Sequence, residues 1–137
     1  MIMSLEQNKA IARRFVEDLL GKGDYALFSE LTINGYADHN LPSGITPLQS
    51  IGAFRAGFPE ARFIVEDVIA EGDRVVVRYT VEATHTGNFY GIPATGKAIS
   101  MSGISIYRLT GGKLAEAWVQ YDQLGLMQQI GVVPMQG

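Results

Sequence analysis

The chain contains no cysteine. Disulfide frameworks, cysteine-ligated zinc or iron–sulfur centres and thiol nucleophiles are excluded with it. Histidine is nearly as scarce: His39 and His85 are the only two. A His-rich metal site is therefore not expected, and no other cofactor motif stands out. Excess positive charge is missing as well. Eleven Lys and Arg against 14 Asp and Glu leave a net charge of -3 with no basic block, which removes the electrostatic footprint of a nucleic-acid binder. No apolar run approaches the ~20 residues that a membrane helix needs. Met1 to Leu5 lead straight into Glu6 and Lys9, without the apolar h-region of a signal peptide. A soluble, cytoplasmic protein with neither a nucleic-acid nor a membrane partner is the expectation.

What is present is globular. The 137 residues are 47% hydrophobic and 18% charged, a length at which one domain buries close to ~70% of its unfolded surface. No repeat, low-complexity tract or linker interrupts residues 1–137, so a single domain is expected. Ser4 with Gln7 forms a capping-box pattern ahead of Ile11, Phe15, Val16, Leu19 and Leu20 at helical spacing, and Gly21 and Gly23 end that helix. Asp24 is placed to cap a short second helix carrying Leu27, Phe28 and Leu31. Thr46, Pro47 and Gln49 open a third, with Leu48, Ile51, Phe54 and Phe58 as its apolar stripe and Pro59 as its stop. Residues 36–40 read as a short strand between the second and third helices, followed by a loop at 41–45.

After Pro59 the period changes from helical to alternating. Strands are expected at 63–70, 74–86, 98–109 and 113–122, joined by turns at Gly72 and at Gly111-Gly112. Helices first and a meander of long strands afterwards read as α+β, with the helices packed on one face of a curved, mostly antiparallel sheet.

Residues two apart on a strand share a face. On the last strand Leu114, Glu116, Trp118, Gln120 and Asp122 therefore lie together, an unusual mixture for either a core or a surface. Two readings follow: the sheet curls around a pocket that has Trp118 as wall and Asp122 as a working carboxylate, or Asp122 caps the segment 123–130. His85 ends the apolar run of Val75, Val77, Tyr79, Val81 and Ala83, and is either an imidazole at that pocket or a hydrogen-bonded core residue. His39, within Asp38-His39-Asn40, has the same two readings, the second being turn chemistry. The Gly-rich segments fall between strands and are no phosphate loop, and no serine sits in a nucleophile elbow.

Together these stretches resemble the SnoaL-like polyketide cyclases, within the nuclear transport factor 2-like superfamily. The resemblance is carried by Asn8-Lys9 with Arg14-Phe15-Val16, Tyr36-Ala37-Asp38-His39, Phe54-Arg55-Ala56-Gly57-Phe58-Pro59 and Val68-Ile69-Ala70-Glu71-Gly72-Asp73-Arg74-Val75. It continues through Thr84-His85-Thr86-Gly87, Gly91-Ile92-Pro93-Ala94-Thr95-Gly96-Lys97, and the stretches 118–122 and 124–131, in order and over nearly the whole chain. It implies a cone-shaped α+β barrel enclosing an apolar cavity, a homodimer, and a cofactor-free enzyme closing a ring by intramolecular aldol chemistry on a small apolar carbonyl compound. It also implies that Asp122 is the acid/base, with His85 or His39 as its partner and Trp118, Gln120, Tyr79 and Asn40 at the substrate. The second histidine that the cyclases carry on the preceding strand is absent from 98–109, where Ser100, Ser102, Ser105, Tyr107 and Arg108 stand. A non-catalytic binding module, or a hydrolase or hydroxylase of the same superfamily, is the alternative. For the dimer, the exposed-face residues Arg78, Thr80, Glu82 and Thr84 are the candidate contact surface.

Overall fold

A computed structural model of the chain describes residues 3–135. The Ser4 hydroxyl accepts the Gln7 N–H at 3.1 Å and the Gln7 side chain accepts the Ser4 N–H at 2.8 Å, which closes the expected capping box. Helix α1 (Leu5–Arg14) starts there and runs on without a break into a π-helical segment, Phe15–Leu20. A wider turn rotates the side chains that follow it, and both ends of this segment, Phe15 and Leu20, reach the cavity described below. Helix α2 (Leu27–Leu31) begins later than Asp24 predicts: Ala26 is its N-cap, with no side-chain cap, and Asp24 contributes only its carbonyl, to Leu27. Helix α3 (Pro47–Gly57) carries the second capping box, between Thr46 and Gln49.

The strands are β1 (Thr32–Asp38), β2 (Arg62–Glu71), β3 (Arg74–Thr84), β4 (Ala98–Thr110) and β5 (Lys113–Tyr121), with α4 (Gln123–Gln129) after the last. They form one sheet in the order β1-β5-β4-β3-β2. Every pairing is antiparallel except β1 with β5, which is parallel. The edge strands β1 and β2 do not meet, so the sheet is curved but open. This is the expected cone-shaped α+β arrangement, a curved, mostly antiparallel sheet packed against the N-terminal helices, with the sheet itself not closed into a barrel.

The alternation on β3 is realised fully: Val75, Val77, Tyr79, Val81 and Ala83 are buried and the residues between them are not. They pack with Ala12, Phe15, Val16 and Leu19 of the first helix and with Phe58 and Phe89. Each apolar side chain of this size contributes about 1.5–3 kcal/mol when fully buried. On β5 a bulge changes the outcome. Arg108 pairs with Glu116 but Leu109 pairs with Leu114, so one residue is extra and both Leu114 and Ala115 are buried. Beyond the bulge Ala117, Val119 and Tyr121 take the inner face, while Glu116 and Trp118 face outward. Simple parity through Leu114 placed Trp118, Gln120 and Asp122 inside; the bulge is the physical reason that Trp118 and Asp122 lie away from the cavity, which Gln120 still lines. Among the described residues no helix is long and apolar enough to cross a membrane.

Candidate active site

A cavity of about 750 Å³ lies between the inner face of the sheet, α3 and the loop 39–46. Its wall is largely aromatic and aliphatic, with Phe15, Leu20, Phe54, Phe63 and Met101 among the lining residues. Two charged residues line it, Asp38 and Arg55.

Asp38 is the last residue of β1 and is half-buried. Its Oδ1 accepts the backbone N–H of Asn40 at 3.0 Å, an Asx turn in which Oδ2 has no donor among the described residues. Burial raises the Asp38 pKa above the ordinary carboxylate value; the Asn40 N–H and then the charge of His39 pull it partly back. Asn40 is tied down in turn, because its Oδ1 accepts the Val119 N–H at 2.6 Å.

Around this carboxylate stand the phenols of Tyr36, Tyr79, Tyr107 and Tyr121, all of which line the cavity. Burial is the main reason that each of the four holds its proton more tightly than a free phenol, and the negative charge of Asp38 adds to the rise in every case. They are neutral donors at physiological pH. The buried Ser105 hydroxyl lies beside Tyr79 and Tyr107 and offsets part of their rise. Its Oγ completes no hydrogen bond of its own. Gly103 is what lets the Tyr79 ring lie flat on β4: a Cβ there would sit 2.5 Å from Tyr79 Cζ.

The residues expected at the site are divided by this geometry. Tyr79, Asn40 and Gln120 line the cavity. Asp122 does not: it is exposed and caps α4, its Oδ1 accepting the Gly125 N–H at 2.9 Å. His85 is fully buried but away from the cavity, its ring 5.2 Å from that of Phe58 and its Nδ1 bonded to the Thr95 hydroxyl at 2.9 Å. The Thr95 N–H also points at Nδ1, at 3.3 Å, so Nδ1 is the acceptor and Nε2 carries the proton. His39 is on the outside. It stacks on Trp118 at 5.0 Å between centroids and meets Glu116 at 3.1 Å. Glu116 is also held by Arg108, at 2.5 Å, and the Arg74 guanidinium lies over the Trp118 ring, 4.9 Å from its centroid. Trp118 is thus part of an outer-surface stack and not the cavity wall.

Sequence reasoning missed Asp38 as the carboxylate of the cavity. Parity on the first strand carried the signal, since Tyr36 and Asp38 are two apart and share a face, but that strand was too short and polar to show which face is covered.

An open, curved α+β sheet completed by N-terminal helices is the architecture of the nuclear transport factor 2-like folds. The chain belongs to the SnoaL-like polyketide cyclase family, whose model matches residues 10–130. Among solved structures it is similar to AclR, a candidate hydroxylase from Streptomyces galilaeus, at 25% identity and a TM-score of 0.86, over 98% of this chain and 87% of that one. It is also similar to a candidate polyketide cyclase from Acidithiobacillus ferrooxidans at 29% identity and a TM-score of 0.80, over 93% of this chain and 97% of the other. IdmH, a candidate polyketide cyclase from Streptomyces antibioticus, is similar at 25% identity and a TM-score of 0.78, over 91% and 99% of the two chains. No curated protein matches the chain by sequence.

Proposed function

We propose that this protein is an acid/base enzyme that forms an enolate from the 1,3-dicarbonyl unit of a small, largely apolar compound and closes a ring by intramolecular aldol addition to a further carbonyl of the same molecule, with Asp38 as the base. One observation carries the reading: Asp38 is the carboxylate in the wall of the cavity, and it stands among phenols that remain protonated. Asp38 takes a proton from the carbon between two carbonyls. Tyr36 and Tyr79 donate hydrogen bonds to the oxygen on which charge develops, a contribution worth about 10²–10³ in rate for one well-placed donor. The enolate carbon then attacks a third carbonyl, farther along the same molecule, and protonated Asp38 returns its proton to the resulting alkoxide. No atom is gained or lost, so the reaction is an isomerisation. The aromatic wall holds the chain folded so that the two carbons are close.

This reading moves the acid/base role from Asp122, which the resemblance pointed to, onto Asp38, because a carboxylate engaged in a helix cap outside the cavity has no substrate to act on. Its first step does not depend on what the enolate reacts with next. The test is solvent deuterium incorporation into an enolisable probe such as benzoylacetone, followed by NMR. Wild-type protein should accelerate exchange and Asp38→Asn should not, whereas unchanged exchange in Asp38→Asn would remove Asp38 from the mechanism.

We further propose that the outer face of the sheet pairs with a second copy. Trp118, Ile106, Val76 and Ile69 are register partners in turn across four strands and form one apolar row. Arg78 and Arg108 beside it are already paired within the chain, with Asp67 and Glu116, which lowers the cost of covering this face. Sedimentation at low micromolar concentration should give a dimer, and Ile69→Lys should give a monomer; a monomeric wild type would end this proposal.

A further inference from the structure

Six of the seven arginines in the sequence lie within 4.0 Å of a carboxylate: Arg13, Arg14, Arg62, Arg74, Arg78 and Arg108. Arg55 is the exception among the described residues, and it is the one that lines the cavity. It is neither free-swinging nor fully exposed. Its Nη2 donates to the Gly21 carbonyl at 2.9 Å, which uses one of the five N–H groups of a guanidinium. Gly23, at φ 72°, leaves the space in which the guanidinium lies: a Cβ there would be 2.5 Å from Arg55 Nε. The end of the first helix and the two glycines after it thus form a seat that holds an uncompensated cation at the cavity wall.

The seat and the carboxylate lie toward opposite edges of the sheet. Asp38 ends β1, one edge of the sheet, while Gly21 lies against Phe63 in β2, the opposite edge. Four strand spacings of ~4.8 Å separate these edges, roughly 19 Å along the sheet and less across its concave side. The cavity therefore has an acid/base pole, an anion-binding pole and an apolar span between them.

We infer that the substrate carries a carboxylate at the end remote from its reacting carbonyls, and that Arg55 binds it and selects for it. The inference deepens the reading given above, since it takes the Asp38 pole as the place of chemistry. Arg55 binds and orients and takes no proton. A planar guanidinium with free N–H pairs is suited to two parallel hydrogen bonds to a carboxylate. An ester in the same place offers neither the charge nor the second strong acceptor.

The experiment is a calorimetric titration of the full chain with para-acetoacetylbenzoate and with its methyl ester, together with deuterium exchange into each. Wild-type protein should bind the acid at least about tenfold more tightly, a difference of ~1.4 kcal/mol, and the preference should shrink as salt is raised. Arg55→Gln, which can still donate to Gly21, should bind both probes alike, and Arg55→Lys should recover part of the preference. Equal affinities in the wild type, a preference that persists in Arg55→Gln, or no binding of the acid would each overturn the inference. Asp38→Asn should keep the preference while losing exchange. Acid-selective binding without exchange in the wild type would sink the acid/base reading and leave the Arg55 assignment standing.

Discussion

The Asn40 side-chain oxygen accepts the backbone N–H of Val119 at 2.6 Å, and this bond ties the turn after β1 to the inner wall of β5. The same residue donates its own N–H to Asp38. Asn40 therefore fixes the carboxylate relative to the face that carries Val119 and Tyr121. On the outside, His39 is clamped between Trp118 and Glu116, so the turn at residues 38–40 is held from both sides of the sheet.

Asn40→Ala removes one arm of this clamp. A misplacement of ~1 Å at a reacting group costs about 10² in rate, and the loss of a hydrogen bond whose partner stays part-buried costs about 1–2 kcal/mol of stability. Exchange rates should fall by one to two orders of magnitude while the affinity for a probe changes by less than a few-fold. Paired kinetics and calorimetry test this, and a fall in affinity with the rate constant intact would point to Asn40 as a binding group instead.

The pH dependence follows from the environment of Asp38. Burial raises its pKa, so kcat/KM should rise with pH through an inflection displaced upward from that of an ordinary aspartate. It should then stay level through neutrality, since the phenols are shifted upward as well. The stability effect has the opposite sign. A carboxyl that holds its proton more tightly when folded contributes most below its unfolded pKa, and that contribution is lost as pH rises through the folded value. Asp38→Asn should therefore match the wild type in acid and exceed it in thermal stability at neutral pH. Melting curves at the two extremes check the sign.

Much of this architecture is legible in the sequence for local reasons. Both capping boxes are written in short-range chemistry at Ser4 and Thr46, and the alternation on β3 needs only one-sided burial to appear. The site is harder to read because it depends on non-local facts. The bulge at Glu116 arises from how β5 pairs with β4, and no feature of 113–122 alone announces it. The π-helical stretch that turns Phe15 and Leu20 toward the cavity is similarly set by packing. Asp122 shows the ambiguity most plainly. Its position before a short apolar segment fits a cap and its strand parity fits a pocket, and only the register decides for the cap.

That decision has a measurable consequence. As the N-cap of α4, Asp122 satisfies the Gly125 N–H, and replacing such a residue by Ala costs about 1 kcal/mol, within a range of roughly 0.5–2 kcal/mol. Asp122→Ala should lower stability by that amount, and Asp122→Ser should restore most of it, because a hydroxyl caps as well. Exchange activity per folded molecule should stay within a few-fold of wild type in both. An activity loss in Asp122→Ser at full stability would return the acid/base role to this residue.

The close contact between Gly103 and Tyr79 supplies a test of the phenol itself. A methyl group at position 103 would meet the Tyr79 ring at 2.5 Å from Cζ and 2.6 Å from the hydroxyl oxygen, so the ring must lift off β4 and into the cavity. Overpacking of this kind costs about 1–3 kcal/mol, and the displaced ring takes up space that a ligand needs. Gly103→Ala should thus weaken probe binding and reduce exchange together. Tyr79→Phe removes the donor and leaves the space, so it should bind the probe as well as wild type while exchange falls by about 10²-fold. If Tyr79→Phe keeps full exchange activity, Tyr79 is a wall of the cavity and the oxyanion is held elsewhere, with Tyr36 the next phenol to replace.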